Sequence, residues 1–238
     1  MERYLFSELN AGRLRTCCQV RDRGLHPDLW RTLALPLTDD ERRRAADVAA
    51  QLSQVAVSLL NEATVWARGI YPLLALAERY PFRAWAQVPM SAEIGHVRLE
   101  GVLDGAIGNC ISGTLDLPYL VVLEAKRGLE GSDPRFALHG QLLAAAALNR
   151  QATGDEEQEI FGCYTIAQAW YFIRAQVTGL GSGIPTLVLD TSREYVEVPD
   201  VEAIAGVLKG IVARGAAKLS EAADALGSSL EPTAFGHL

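Results

Sequence analysis

"VVLEAKRG", residues 121–128, is the stretch whose reading decides the fold. With "LPYL" before it, the run is short and apolar, the pattern of a strand buried on both faces. Side chains alternate along a strand, so Glu124 and Lys126 share one face and Ala125 takes the other. Charges that emerge from a central strand do so at its end, in or beside a cleft. The lysine is also unusual, because the chain has only three lysines among its 22 basic residues. Lysine differs from arginine in having a charge that burial can tune.

Working back, "GHVRLEGVLDGAIG" (95–108) alternates in the same way and reads as the preceding strand. If "NCISGTLDLP" (109–118) closes an antiparallel hairpin, Asp104 comes to lie beside Glu124, and Gly105 leaves room for a ligand or a neighbouring chain. Two carboxylates and an ammonium would then converge. Carboxylates completed by water and phosphate oxygens suit Mg2+ or Mn2+, which can lower the pKa of an attacking water. Lys126 would orient that water or stabilise developing negative charge. Each feature also has a plainer reading: Glu124 and Lys126 as a strand-end ion pair worth little, and Asp104–Gly105 as a turn.

An aspartate on one strand followed by Glu-x-Lys on the next resembles the PD-(D/E)xK nuclease superfamily. Its carriers here are Asp104 in "VLDGAIG" and Glu124 and Lys126 in "VVLEAKRG", with Leu103 where the superfamily usually has proline. The resemblance implies a restriction-endonuclease-like fold, a mixed β-sheet flanked by helices. It also implies a supporting metal-site glutamate on the helix before the first strand, matched by Glu62, and a glutamine on the helix after the lysine strand, matched by Gln141. That glutamine would organise Lys126 or the substrate. With the "AWYFIRA" strand, the pattern is similar to the N-terminal nuclease domains of type I restriction-enzyme motor subunits, over residues 40–178. Arg127 and Arg135 flank the expected cleft and are candidates for phosphate contact.

The rest of the chain fits around this core. Residues 1–37 read as an extension of short pieces. Thr38 and Glu41 form a capping box, and Val48, Leu52, Val55, Leu59 and Val65 recur at helical spacing, which predicts one long helix ending near Gly69. Pro72 opens a second helix to about Arg79. "FRAWAQVPM" (82–90) reads as a strand and "DPRFALHGQLLAAAALNR" (133–150) as a helix. "EIFGCYTIAQAWYFIRAQV" (159–177) reads as two strands turning near Ala167. "GIPTLVLD" and "REYVEV" suggest a further hairpin, and a helix runs from Pro199 to about Leu226. No linker divides the sequence, so a single domain over 1–238 is expected. Glu78 and Glu100 are rival acids, Glu100 also as support for Asp104.

A net charge of −7 argues against a protein that coats nucleic acid. It leaves room for an enzyme with a local basic patch and weak, salt-sensitive DNA binding. Cys17, Cys18, Cys110 and Cys163 show no zinc spacing and read as reduced packing residues. The four histidines, His139 among them, show none either. No signal peptide or membrane-length apolar run is evident, which points to a cytoplasmic protein. The expectation is a metal-dependent DNA nuclease, with a homodimer as one way to cut two strands. The alternatives are an inactive relative that binds DNA or protein, and an unrelated α/β protein that binds a small ligand.

Overall fold

The computed structural model describes residues 1–126, 133–181 and 183–228. The first residues form β1 (Glu2–Leu5), a 3-10 turn (Phe6–Glu8), α1 (Ala11–Cys17), β2 (Gln19–Leu25) and α2 (Pro27–Leu33). The expected capping box opens α3 (Asp39–Ser53): the Glu41 amide donates to Thr38 Oγ1, and the Thr38 amide to the Glu41 carboxylate. The single long helix does not form. After Ser53 the chain passes through a 3-10 turn (Val57–Leu59) and restarts at α4 (Glu62–Val65), where the Asn61 side chain accepts from the Thr64 amide. A π-turn (Trp66–Ile70) and α5 (Tyr71–Leu76) follow. The helical spacing past the break is a feature of the sequence alone: Leu59 is 79% exposed, and Val57 takes the buried place in the 3-10 turn. A cap in mid-sequence starts a new helix all the same.

Next come β3 (Phe82–Ile94), β4 (Val97–Ile111), β5 (Thr114–Lys126), α6 (Pro134–Thr153), β6 (Gln158–Ile166), β7 (Ala169–Thr178), β8 (Thr186–Thr191), β9 (Tyr195–Val196) and α7 (Val201–Ser228). The strands form one mixed sheet in the order β1-β4-β5-β6-β7-β8-β2, with β3 on β4 and β9 on β7. The extension is part of this sheet: β1 runs parallel to β4, and β2 parallel to β8. The expected β8–β9 hairpin is absent, since each of these strands pairs antiparallel with β7. The turn at Ala167 is as expected, with φ 53.

Strand alternation divides the core into two layers. Val121, Leu123 and Ala125 of β5 face α2, α3, α5 and α7. Val122 faces α6 and the N-terminal segment, with Tyr164 of β6 and Ile173 of β7. Helix α6 bridges β5 to its parallel neighbour β6. Its far end is pinned by Asn149, whose buried amide both donates to and accepts from the Tyr119 backbone at 2.8 Å. That clamp sets Gln141, two turns earlier, over Glu124. Among the described residues no helix is long and apolar enough to cross a membrane.

Gly105 makes room for a neighbour within the chain, not for a ligand. A Cβ there would overlap the Trp66 ring. Because Trp66 follows α4 directly, this contact holds Glu62 near the end of β5. Gly105→Ala is expected to cost about 1–3 kcal/mol through overpacking. The check is a lowered midpoint in urea with an unchanged m-value.

Candidate active site

Strands β4 and β5 part where the acidic residues stand. Their ladder runs outward to Gly105 opposite Leu123, so the next step sets Asp104 against Glu124. There the backbone pairing ends, and Asp104 Oδ2 accepts the Ala125 amide proton at 2.7 Å. A side chain has taken the place of a ladder carbonyl. On the other side of β4 the pairing with β3 also skips a step, passing from Ala86–Gly105 to Val88–Leu103. Gln87, opposite Asp104, has φ 52, a left-handed value costly for a residue with a side chain. The core-facing side of β4 shifts across this point, since Leu103 and Ala106 both join the α6 layer. Asp104 thus sits at a local break in the sheet.

Glu124 is buried, at 6% exposure, with both oxygens engaged. Oε1 meets Lys126 Nζ at 2.7 Å, and Oε2 accepts from Gln141 Nε2 at 2.6 Å. Gln141 is fully buried, and its Oε1 has no hydrogen-bond partner. The glutamine therefore orders Glu124, whose other oxygen holds Lys126. Glu62, exposed on α4, is near enough for its charge to act on both Asp104 and Lys126. Two layers of helices thus contribute to one strand end, Glu62 from one and Gln141 from the other.

The electrostatics follow from crowding. Burial pushes the Asp104 carboxyl up; the Ala125 amide pulls it down; Glu124 adds to the rise, Lys126 opposes it, and Glu62 adds to it again. The result is about 6 against an ordinary 3.8. Burial alone would lower the Lys126 ammonium. The hydrogen bond and charge of Glu124, then the charges of Asp104 and Glu62, outweigh it and hold Lys126 above its ordinary value. Lys126 is therefore a cation at neutral pH, able to donate to an anion but not to take a proton from water.

The other candidates divide. Arg135, in the first turn of α6, is held by Asp133 at 2.6 Å. Arg127 lies outside the described residues. Glu100 pairs with Arg3 of β1 and does not support Asp104. Glu78 accepts from the Ala84 amide at 3.0 Å and faces Arg83. The "ERRRAAD" charges largely stay on their own helix, Arg42 with Asp39 and Arg43 with Asp40, while Glu41 reaches Lys209. Trp170 and Tyr171 do point to opposite faces, Trp170 into the core beside Phe172 and Tyr171 stacked on Tyr164 at 4.7 Å. The four cysteines are free thiols.

Among the described residues no three His, Cys, Asp or Glu side chains gather closely enough to cage a metal on their own. Asp104 and Glu124 are nonetheless hard oxygen donors whose mutual repulsion a divalent cation would relieve. Mg2+ characteristically takes one or two carboxylates and leaves its other positions to water and phosphate. Tyr164 on β6, which nothing in the local sequence marks, pairs in parallel register with Glu124. Which strand lies next to β5 across a helix crossover carries no signature in local sequence. No protein-family model matches the chain, and no curated protein matches it in sequence.

Proposed function

We propose that the chain is a metal-dependent nuclease of restriction-endonuclease-like fold that hydrolyses phosphodiester bonds of DNA. One observation carries this reading: where β4 and β5 part, Asp104, Glu124 and a charged Lys126 converge, and Gln141 fixes the orientation of Glu124. The mixed sheet flanked by helices and the order of these residues along it agree with the superfamily resemblance. A plain surface ion pair would leave Gln141 without a reason to be buried against Glu124.

Asp104 and Glu124 would hold Mg2+ or Mn2+, with Glu62 in support. The bound ion would supply an activated water and a Lewis acid for a phosphate oxygen. Lys126, already protonated, donates a hydrogen bond to the phosphate oxygens, where negative charge builds as water adds and the P–O bond to the leaving oxygen breaks. Its present partner is Glu124, so Lys126 must turn from that carboxylate towards the phosphate as substrate enters. The net charge of −7 keeps DNA affinity low and salt-sensitive.

The test is cleavage of plasmid and single-stranded DNA with Mg2+ or Mn2+. Lys126→Ala is expected to lower the single-turnover rate by at least about 100-fold, on the scale of losing one transition-state donor. Rates unchanged in both Lys126→Ala and Asp104→Ala would defeat the assignment.

A further inference from the structure

A cavity of about 480 Å³ opens beside this site, between α1, β2 and the first turns of α6, over β6 to β8. That is the size of a small-molecule site. Its surroundings are mixed. Leu14, Phe136 and Tyr164 supply apolar and aromatic surface, and Arg15 and Arg135 lie at its edge with Asp22. His139 also lines it, and the imidazole Nδ1 is buried with no hydrogen-bond partner. Burial lowers His139 to about 4, so the ring is neutral at physiological pH. Asp22 Oδ1 accepts the Gly24 amide at 2.7 Å. The other carboxylate oxygen makes no hydrogen bond among the described residues.

The cavity is joined to the candidate active site through Tyr164. That residue is the parallel register partner of Glu124, so the two stand on neighbouring strands, about 4.8 Å apart at the backbone. A strand whose phosphate lies at Glu124 and Lys126 can turn an adjacent base into the cavity. The occupant must be flat enough for an aromatic wall, must present donors to a carboxylate, and can carry an anion towards Arg15, Arg135 being already held by Asp133. A nucleotide has all three features.

We propose that this cavity seats one unstacked nucleobase of the strand being cut, with Tyr164 and Phe136 as walls and Asp22 receiving the base's amino group. The proposal rests on the nuclease reading and adds what the site binds. Bases with an amino group (adenine, cytosine, guanine) are preferred over thymine, and single-stranded or locally opened DNA over an intact duplex, because a stacked base cannot enter.

The experiment measures binding of the four deoxynucleoside monophosphates by calorimetry and of a labelled single-stranded 12-mer by anisotropy. Proteins compared are wild type, Ala11→Trp, which fills the cavity from α1, and Asp22→Asn, an exposed change that keeps an acceptor for Gly24. Thermal melting establishes that each is folded. Ala11→Trp is expected to weaken both probes roughly 10-fold, the scale of one base–aromatic stack. Asp22→Asn is expected to bring the amino-bearing nucleotides down to the affinity of the thymine one. Asp104-dependent cleavage, with both variants binding as wild type, overturns the cavity's role and leaves the nuclease reading intact. Weakened mononucleotide binding in Ala11→Trp, with no cleavage by wild type, supports a base site here and sinks the nuclease reading.

Discussion

Asp104→Asn is expected to melt at a higher temperature than wild type at pH 8 while losing cleavage. In the fold this carboxyl has a pKa of about 6, against an ordinary 3.8. A folded-state pKa above the unfolded value means that the fold prefers the protonated acid. Stability is then complete below about pH 4 and is lost as pH rises through 6. The difference of roughly two units, at about 1.36 kcal/mol each, sets a ceiling near 3 kcal/mol. Asp104 is only partly buried, so solvent screening reduces this to about 1–2 kcal/mol. For a chain of this size that is a rise of about 2–8 °C in Tm. Asparagine keeps an oxygen for the Ala125 amide and removes the charge that Glu124 and Glu62 oppose. The gain should fade towards pH 4, where wild type is itself protonated. Cleavage should fall by at least about 100-fold at every pH, because a neutral amide is a poor ligand for a hard cation. Melting scans at pH 4 and pH 8 make the check. A variant no more stable than wild type at pH 8 would mean that the carboxylate is not held at a cost, and with that the strongest physical sign of a functional site is gone.

The acidic pair was legible because strand alternation is a local rule. Once "YLVVLEAK" and "RLEGVLDGAIG" are neighbouring strands, the two acids lie on adjacent strands, but their register was not legible: the pairing next to the turn would set Asp104 opposite Val121, and shifts at Ile107/Gly108 and Gly108/Asn109 put Glu124 there instead. Gln141 was reached only through the resemblance. Its contact with Glu124 is set by the Asn149 clamp, which lies two turns further along α6 and bonds to the β5 backbone at Tyr119, five residues before Glu124. The break in the first long helix was hidden because Val55 and Leu59 continue the three-and-four spacing of Val48 and Leu52 past it. The Asn61 cap was the readable signal, and periodicity outweighed it. Glu100 was misplaced because the rule that residues four apart share a strand face fails where β4 shifts its core side near Asp104. The N-terminal extension looked peripheral for a different reason. Its strands pair with β4 and β8, partners far away in sequence, and such pairing leaves no local mark. Nothing in "REYVEV" separates a hairpin from a strand that joins β7.

Glu197→Gln is the second substitution expected to stabilise the protein, and it has nothing to do with catalysis. Glu197 follows β9, is fully buried, and neither carboxylate oxygen has a hydrogen-bond partner. It fits only because residue 69 is glycine: a Cβ there would overlap the carboxylate. The indole N–H of Trp170 lies near enough to favour the anion but makes no hydrogen bond of normal geometry. Burial therefore dominates and raises the carboxyl from 4.5 to about 7. The sign is the same as for Asp104, since the fold binds the proton more tightly than the unfolded chain. Stability falls as pH climbs from about 4.5 through 7, and the loss approaches about 3 kcal/mol at about 1.36 kcal/mol per unit. A glutamine is neutral throughout, but it brings two buried N–H donors, and each left unpaired costs about 1 kcal/mol or more. The height of the gain is therefore a poor test, and its pH dependence is the sharp one. Between pH 5 and pH 8 the stability difference between variant and wild type should move in the variant's favour by about 2 kcal/mol, with cleavage unaffected at both ends. A difference that stays flat across that range would mean that the carboxyl titrates normally, and that a partner for it exists in the core.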